Sequence, residues 1–327
     1  MNKYCRIFFG RTAVLTAVGV LVCTLFAAVE SRTRAEAAEL ADNPPPTAHD
    51  RDAGLSLARF PRHPLFASDG PSKDDVFQGD DGDCYFMSAL AALAEAHPSF
   101  IRKTVTDLGD GTYLVRFFRP NGEKNYIRVT GELWVDAAGA PRYARLGREG
   151  CLWVALIEKA FAVCRRKPAG YGSLIGGNGT ALNNIVWKYN HLLIDETNAQ
   201  PDDVLDWFKR GAPDGPLKEL IHTRVAEFLE RVDAERHGGH GMVMGGPVGF
   251  SDRTPLVPAR AGPAKSTYRR GQHIYMVDHV QRDAAGHPAG IVLRNPNGRY
   301  LTLTDFVRIY FCSGRAATVE PPVERDL

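Results

Sequence analysis

The 327-residue chain contains no HExxH, no G-x-S-x-G and no P-loop. These absences remove the common zinc-protease, serine-hydrolase and nucleotide-binding readings, since each chemistry needs its groups at a fixed local spacing. There is no internal repeat. Neither sign of charge is in excess: 40 Lys and Arg against 38 Asp and Glu leave a formal net charge of +2. So even a balance implies neither nucleic acid nor an acidic substrate. Cysteine is sparse, six in all. Beyond the leader, Cys84, Cys151, Cys164 and Cys312 show no C-x-x-C spacing and make no zinc site. Cys151 and Cys164 flank one helical stretch that holds them roughly 20 Å apart, too far for a disulfide. Three of the four read as small buried hydrophobes. Cys84 stands apart.

What is present begins with Lys3, Arg6 and Arg11, followed by an uncharged apolar stretch from Thr12 to Val29. A basic start before such a stretch is an export signal or an N-terminal membrane anchor. It is long for a signal and short for a span of about 20 residues. Cleaved signal and anchor both stand, and the chain is expected to be exported: secreted, periplasmic or membrane-anchored facing outward. Residues 30–63 carry Pro44-Pro45-Pro46, mixed charge and no apolar period, the composition of a linker or propeptide. At 44% hydrophobic, the remainder suffices for one large or two small packed domains.

Two apolar helices are expected in the first half. CYFMSALAALAEA runs from Cys84 to Ala96 before Pro98, with Asp83 as N-cap, and LWVALIEKAFAV lies between Cys151 and Cys164. GTYLVRFF and KNYIRVT, joined through Pro120-Asn121-Gly122, predict a β-hairpin. The GAPDGP stretch at 211–216 is the best domain boundary. Leu217, Ile221, Val225, Phe228, Leu229 and Val232 then recur at helical spacing. A loop rich in Gly and Pro is expected from His237 to about Gly271. The strands HIYMVDHV, GIVLRN and RYLTLTDF follow.

The chemistry concentrates in Gln78-Gly79-Asp80-Asp81-Gly82-Asp83-Cys84-Tyr85. A cysteine in the first turn of a helix meets unpaired N–H groups and the positive end of the dipole, which favour the thiolate. Gln78, on the loop before it, is placed to donate its amide to an oxyanion beside the Cys84 N–H. A calcium loop built on the three aspartates fails on spacing. A nucleophilic cysteine needs a base and a group to orient it. His273 opens one strand and Asn295 ends the next, and antiparallel neighbours bring such positions together. His279 lies about 20 Å further along the strand at 3.3 Å per residue, so only one of the two histidines can serve. The plainer alternative is a buried cysteine at a helix start and a structural histidine.

Four stretches in order resemble the calpain-type cysteine protease core: QGDDGDCYF, LWVALIEKAFA with YGSLIGG, QHIYMV, and LRNPNG. The resemblance covers about Pro64 to Cys312. It implies an α+β, papain-like fold of two subdomains: 64–210 with Cys84 and the oxyanion residue Gln78, and 211–315 with His273 and Asn295. Residues 316–327 are left as a tail. It further implies an endopeptidase cutting polypeptides, with Gly176 and Gly177 lining the cleft and pairing with substrate backbone. Departures are Tyr85 and Asn297 where tryptophan is usual, and Gln272 where glycine is usual before the histidine. Of one core calcium site, Asp75 is kept as a candidate ligand, but Cys151 stands at the second acidic position with Glu149 only nearby. No cofactor is therefore required, and calcium dependence is expected to be weak or lost. The alternatives are a catalytically silent calpain-like module that binds peptide or protein, and another papain-like enzyme such as a papain-type protease or a transglutaminase.

Overall fold

The computed structural model describes residues 43–48, 54–119, 121–165, 169–177, 188–192, 206–207, 210–247, 272–313 and 316–321. The apolar leader at 1–29 lies outside them. Among the described residues no helix is long and apolar enough to cross a membrane.

The fold mixes helices with antiparallel sheets. In the first half, β1 (Ser56–Arg59) pairs with β5 (Glu132–Val135), and β2 (Val105–Asp107), β3 (Thr112–Phe118) and β4 (Lys124–Thr130) form a three-stranded sheet. The expected hairpin is β3–β4, in register Phe118 opposite Lys124, with Gly122 at φ 86° in the turn. The second half is a six-stranded sheet ordered β10-β9-β8-β7-β11-β6. Its strands are β6 (Lys188–Leu192), β7 (Gly241–Pro247), β8 (Gln272–Arg282), β9 (Pro288–Arg294), β10 (Tyr300–Leu303) and β11 (Ala316–Glu320).

Alanine and leucine make CYFMSALAALAEA the helix α1 (Cys84–Ala96), buried continuously from Cys84 to Ala94. Pro98 then opens the short α2 (Pro98–Arg102). The second predicted helix is α3 (Trp153–Cys164). It meets α1 through the Phe86–Phe161 stack, ring centroids 4.3 Å apart, worth ~0.5–1.5 kcal/mol beyond burial alone. Lys159 of α3 is buried, and its Nζ donates to Thr130 O, Thr130 Oγ1 and Glu132 O, so all three of its hydrogens are used. The amphipathic stretch after residue 216 is α4 (Pro216–His237), which buries Ile221, Val225, Phe228, Leu229 and Val232. The last helix is α5 (Phe306–Ser313).

Side chains alternate across a strand, so the six-stranded sheet serves two cores. Val243, Met276, Ala317 and Val319 pack with α1 and α3. Met242, Met244, Tyr275 and Val277 pack with α4 and α5. The sheet is thereby pressed against α1, which fixes the start of β8 beside the start of α1.

Three segments behave differently from the sequence expectation. Gly241–Pro247, inside the predicted loop, is a strand between β11 and β8. Its Met-Val-Met run is buried on both faces and outweighs the loop signal of its glycines and proline. Ala316–Glu320, expected in the tail, is a sheet strand whose first four residues are buried. Within the 30–63 segment, β1 joins β5, and Asn43 and Thr47 bridge to Val129 and Gly170. The Trp134 indole N–H donates to Pro46 O at 2.8 Å. Cys151 and Cys312 are buried as expected, whereas Cys164 is half-buried.

Candidate active site

The loop before α1 is clamped from both sides. Gln78 N donates to Pro296 O at 2.9 Å, Arg294 Nη2 donates to Val76 O at 3.1 Å, and the Arg294 guanidinium lies 5.7 Å from the Phe77 ring centre. The 76–78 backbone is therefore held against the turn that carries Asn295. On its other side Gly79 passes so close to Tyr143 O that a Cβ there would overlap it. The Gln78 side chain turns into its own loop, with Nε2 donating to Asp81 O at 2.6 Å. Its second amide hydrogen remains available to another acceptor.

Cys84 is the first residue of α1 and is 9% exposed. Asp83 occupies the N-cap position, yet its side chain caps nothing. The N–H groups of the first turn are thus left to the sulfur: those of Cys84 and Tyr85, joined by that of Ile274, favour the thiolate. Burial works against them and wins, pushing the thiol up to about 11. This reverses the expectation of a ready-made thiolate. A helix end contributes ~0.3–1 kcal/mol, and desolvation of a buried group is worth several times that.

His273 lies at the start of β8. Its neighbour Ile274 offers its N–H to the Cys84 sulfur and its carbonyl to Ser88 Oγ, at 2.7 Å. On β9, Arg294 stands opposite Met276, so Asn295 falls beside the strand start as the antiparallel argument requires. His273 Nε2 sits 3.2 Å from Asn295 Oδ1. That oxygen also accepts from Asn297 N at 3.1 Å. An acceptor with two N–H donors orients the Asn295 amide, so Nε2 carries the ring hydrogen and Nδ1 is left with its lone pair. Burial holds the imidazole below its usual range, with the bond to Asn295 pulling weakly the other way. The ring is a neutral base at neutral pH. His279 is exposed and bonded to Asp278 at 2.8 Å, away from this group. Asn297, where a shielding tryptophan was missed in sequence, is exposed and accepts from Arg299 N.

Gly176 and Gly177 border the same loop. Gly176, at φ 70°, donates its N–H to Gly82 O at 3.0 Å. A Cβ on Gly177 would stand 2.5 Å from the Tyr85 ring. Tyr85 donates its hydroxyl to Leu174 O at 3.0 Å. Arg165, a residue the sequence reading passed over, donates to Ser173 O and Gly176 O at 2.7 and 2.8 Å. The loop is thus braced from beneath by Tyr85 and Arg165.

Asp75 is fully buried, and its acceptor sites are filled by donors. Oδ1 takes Arg148 N and Nε at 3.2 and 2.8 Å; Oδ2 takes Ser72 N and Trp153 Nε1 at 2.9 and 3.0 Å. Arg148 also donates to Asp69 Oδ2 and Gly70 O. Glu149 faces Ser68 instead, and Cys151 is a thiol that burial raises to about 12. The donor set around Asp75 fits a guanidinium and does not fit a calcium ion, which needs six to eight oxygens. Among the described residues no group of three or more His, Cys, Asp or Glu is arranged to hold a metal.

An antiparallel α+β chain with a buried cysteine heading a helix and a histidine bound to asparagine defines a thiol-hydrolase class of site. Residues 49–216 match the family model described as calpain family cysteine protease, and the chain belongs to that family. It is 35% identical over 117 residues to the calpain-type cysteine protease ADL1 of Oryza sativa subsp. japonica, and 34% identical over 117 residues to the calpain-type cysteine protease DEK1 of Zea mays. Each match takes in 35% of this chain and 5% of the relative. A thiol protease of Porphyromonas gingivalis (strain ATCC BAA-308 / W83) is 31% identical over 130 residues, covering 36% of this chain and 27% of that protein. The chain therefore matches a small part of the length of these relatives. The family match includes Gln78 and Cys84 and ends before His273 and Asn295. A cysteine peptidase is what family and relatives support.

Proposed function

We propose that this chain is a cysteine endopeptidase in which Cys84 is the nucleophile, His273 the general base, Asn295 the group that orients it, and Gln78 an oxyanion donor. The observation that carries the reading is the His273–Asn295 pair at 3.2 Å, with His273 on a strand whose next residue, Ile274, offers its N–H to the Cys84 sulfur. With a buried thiol and a neutral imidazole at rest, the sulfur ionises as it reacts. His273 Nδ1 takes the thiol proton while Sγ bonds to the scissile carbonyl carbon. The resulting oxyanion is met by the Cys84 N–H and the second Gln78 amide hydrogen. The imidazolium then gives its proton to the departing amine, leaving a thioester on Cys84. Water, deprotonated by the same ring, attacks that thioester; the acid product leaves and the proton returns to sulfur.

The papain-like division into two subdomains is part of this reading, supported by the two apolar cores on either side of the six-stranded sheet. So is export through the basic and apolar leader. Gly176 and Gly177 form the edge that pairs with an extended substrate. Calcium is not needed: Arg148 supplies, from within the chain, the positive charge that Asp75 faces.

One experiment tests function and calcium together. Incubated with an unfolded protein in excess chelator, the enzyme should generate new internal N-termini and incorporate no amine. Calcium titrated to micromolar levels should leave its melting temperature unchanged. No cleavage under any condition supports the silent module, amine incorporation a transglutaminase, and a saturable rise in melting temperature a retained calcium site.

A further inference from the structure

Two carboxyl groups beneath the nucleophile have no role in the steps above. Asp83 immediately precedes Cys84 and is fully buried; Glu158, midway along α3, is 1% exposed. They lie within hydrogen-bonding reach of each other. Glu158 Oε2 accepts from Ala144 N at 2.9 Å. Neither Asp83 oxygen nor Glu158 Oε1 receives a well-formed hydrogen bond from any other donor. Gln78 lies near enough to Asp83 to favour its ionised form, though the one well-formed bond of its Nε2 goes to Asp81 O. Two ionised carboxylates sealed together with one well-formed N–H donor between them would be expelled or neutralised. One proton between them partners Glu158 Oε1 and one oxygen of Asp83 at once.

We propose that Asp83 and Glu158 share a proton, Glu158 donating to Asp83, and that this pair positions the Asp83–Cys84 peptide at the head of α1. The assignment rests on the peptidase reading only for its effect on rate. It explains why Asp83 sits at an N-cap position and caps nothing: its side chain is drawn inward to Glu158, so the first-turn N–H groups stay with the sulfur. Once the proton is lost, a repelled Asp83 turns to those N–H groups as an ordinary N-cap does. It then competes with the sulfur for them and adds negative charge beside it.

The surroundings favour the proton. Burial raises both groups, and the negative charge of Asp81 raises both further; the charge of Asp83 also raises Glu158, whereas the hydrogen bond from Glu158 lowers Asp83. The groups facing the pair are Gln78 and Asp81 from the loop, Cys84 and Tyr85 from α1, and Tyr143 and Tyr171, which stack at 3.6 Å. Arg142 is engaged with Asp80, Arg165 with Ser173 O and Gly176 O, and Lys159 with Thr130 and Glu132 O. A carboxyl raised in the folded state contributes fully below its unfolded value, and the contribution is lost as pH rises through the folded value. Stability and rate should thus decline on the alkaline side.

The test uses the full chain. At neutral pH the infrared spectrum of the wild type should contain a protonated-carboxyl C=O band that is missing in Glu158→Gln. The Gln side chain can donate to Asp83 at every pH while its oxygen keeps the Ala144 N–H. This variant should hold kcat within ~3-fold of wild type and lose the alkaline decline. Glu158→Ala should lose ~100-fold in kcat with KM little changed, since orientation acts on the reacting step. Absence of the band in the wild type overturns the proposal, as does a Gln variant as impaired as Ala with the alkaline limb intact. If instead the wild type shows the band yet neither cleaves peptide nor alkylates at Cys84, the shared proton stands and only the peptidase reading falls.

Discussion

Replacing Cys84 by alanine should abolish peptide cleavage, by at least ~10⁴-fold in kcat/KM, and leave the fold intact. The size follows from what is removed. Without sulfur there is no acyl-enzyme, and the oxyanion donors and substrate contacts alone retain only a small residue of catalysis. The fold survives because a small side chain is exchanged for a slightly smaller one. Cys84 is the first residue of α1, alanine is the better helix former, and the cavity left by one sulfur costs ~1 kcal/mol. Melting temperature and cleavage measured on the same sample separate the two effects. A variant that melts like the wild type and still cleaves would remove Cys84 from the mechanism. A variant that has unfolded would show that the thiol holds the loop together, which its surroundings of backbone N–H groups do not suggest.

The second large effect falls on stability. Arg148→Ala leaves the Asp75 carboxylate fully buried without its counter-charge. Breaking such a pair from one side costs ~3–5 kcal/mol. The lower figure applies here, because Arg148 is one-third exposed and three N–H donors to Asp75 survive. About 3 kcal/mol corresponds to a fall of roughly 6–12 °C in a domain of this order of size. Arg148→Lys should recover only part of it, since one ammonium cannot reproduce the fork to Asp75, Asp69 and Gly70. Thermal melts of the three proteins in chelator decide the matter. A fall under about 1 °C for Arg148→Ala would mean that another cation serves Asp75, and would reopen the calcium question.

The parts of this molecule legible in the sequence are those set by local pattern. Asn121-Gly122 announced the β3–β4 hairpin, and the Ala and Leu content announced α1. The spacing of His273 and Asn295 at facing strand ends announced their bond. The parts that escaped were set by distant partners. Gly241–Pro247 reads as a loop because Gly and Pro dominate it, yet the buried Met242, Val243 and Met244 hold it inside the sheet. Arg148 meets Asp75 from 73 positions away, and no local signature ties the two. Glu158 and Lys159 did leave a trace, as two adjacent charges in an otherwise apolar helix, a pattern that demands buried partners. The thiolate expectation failed for a related reason. The helix terminus is visible in sequence, whereas the burial that outweighs it comes from the sheet packed over α1.

The central claim is that His273 draws the proton from a buried Cys84, and the rate of Cys84 alkylation by a thiolate-selective epoxide against pH tests it most directly. The account predicts labelling confined to Cys84, with an acid limb below the usual imidazole value of about 6.5 because burial lowers His273. In His273→Ala that limb should vanish, and labelling should await the alkaline ionisation of a thiol raised to about 11. Identical pH profiles for the two proteins, or label carried by Cys151, Cys164 or Cys312 in place of Cys84, would contradict it.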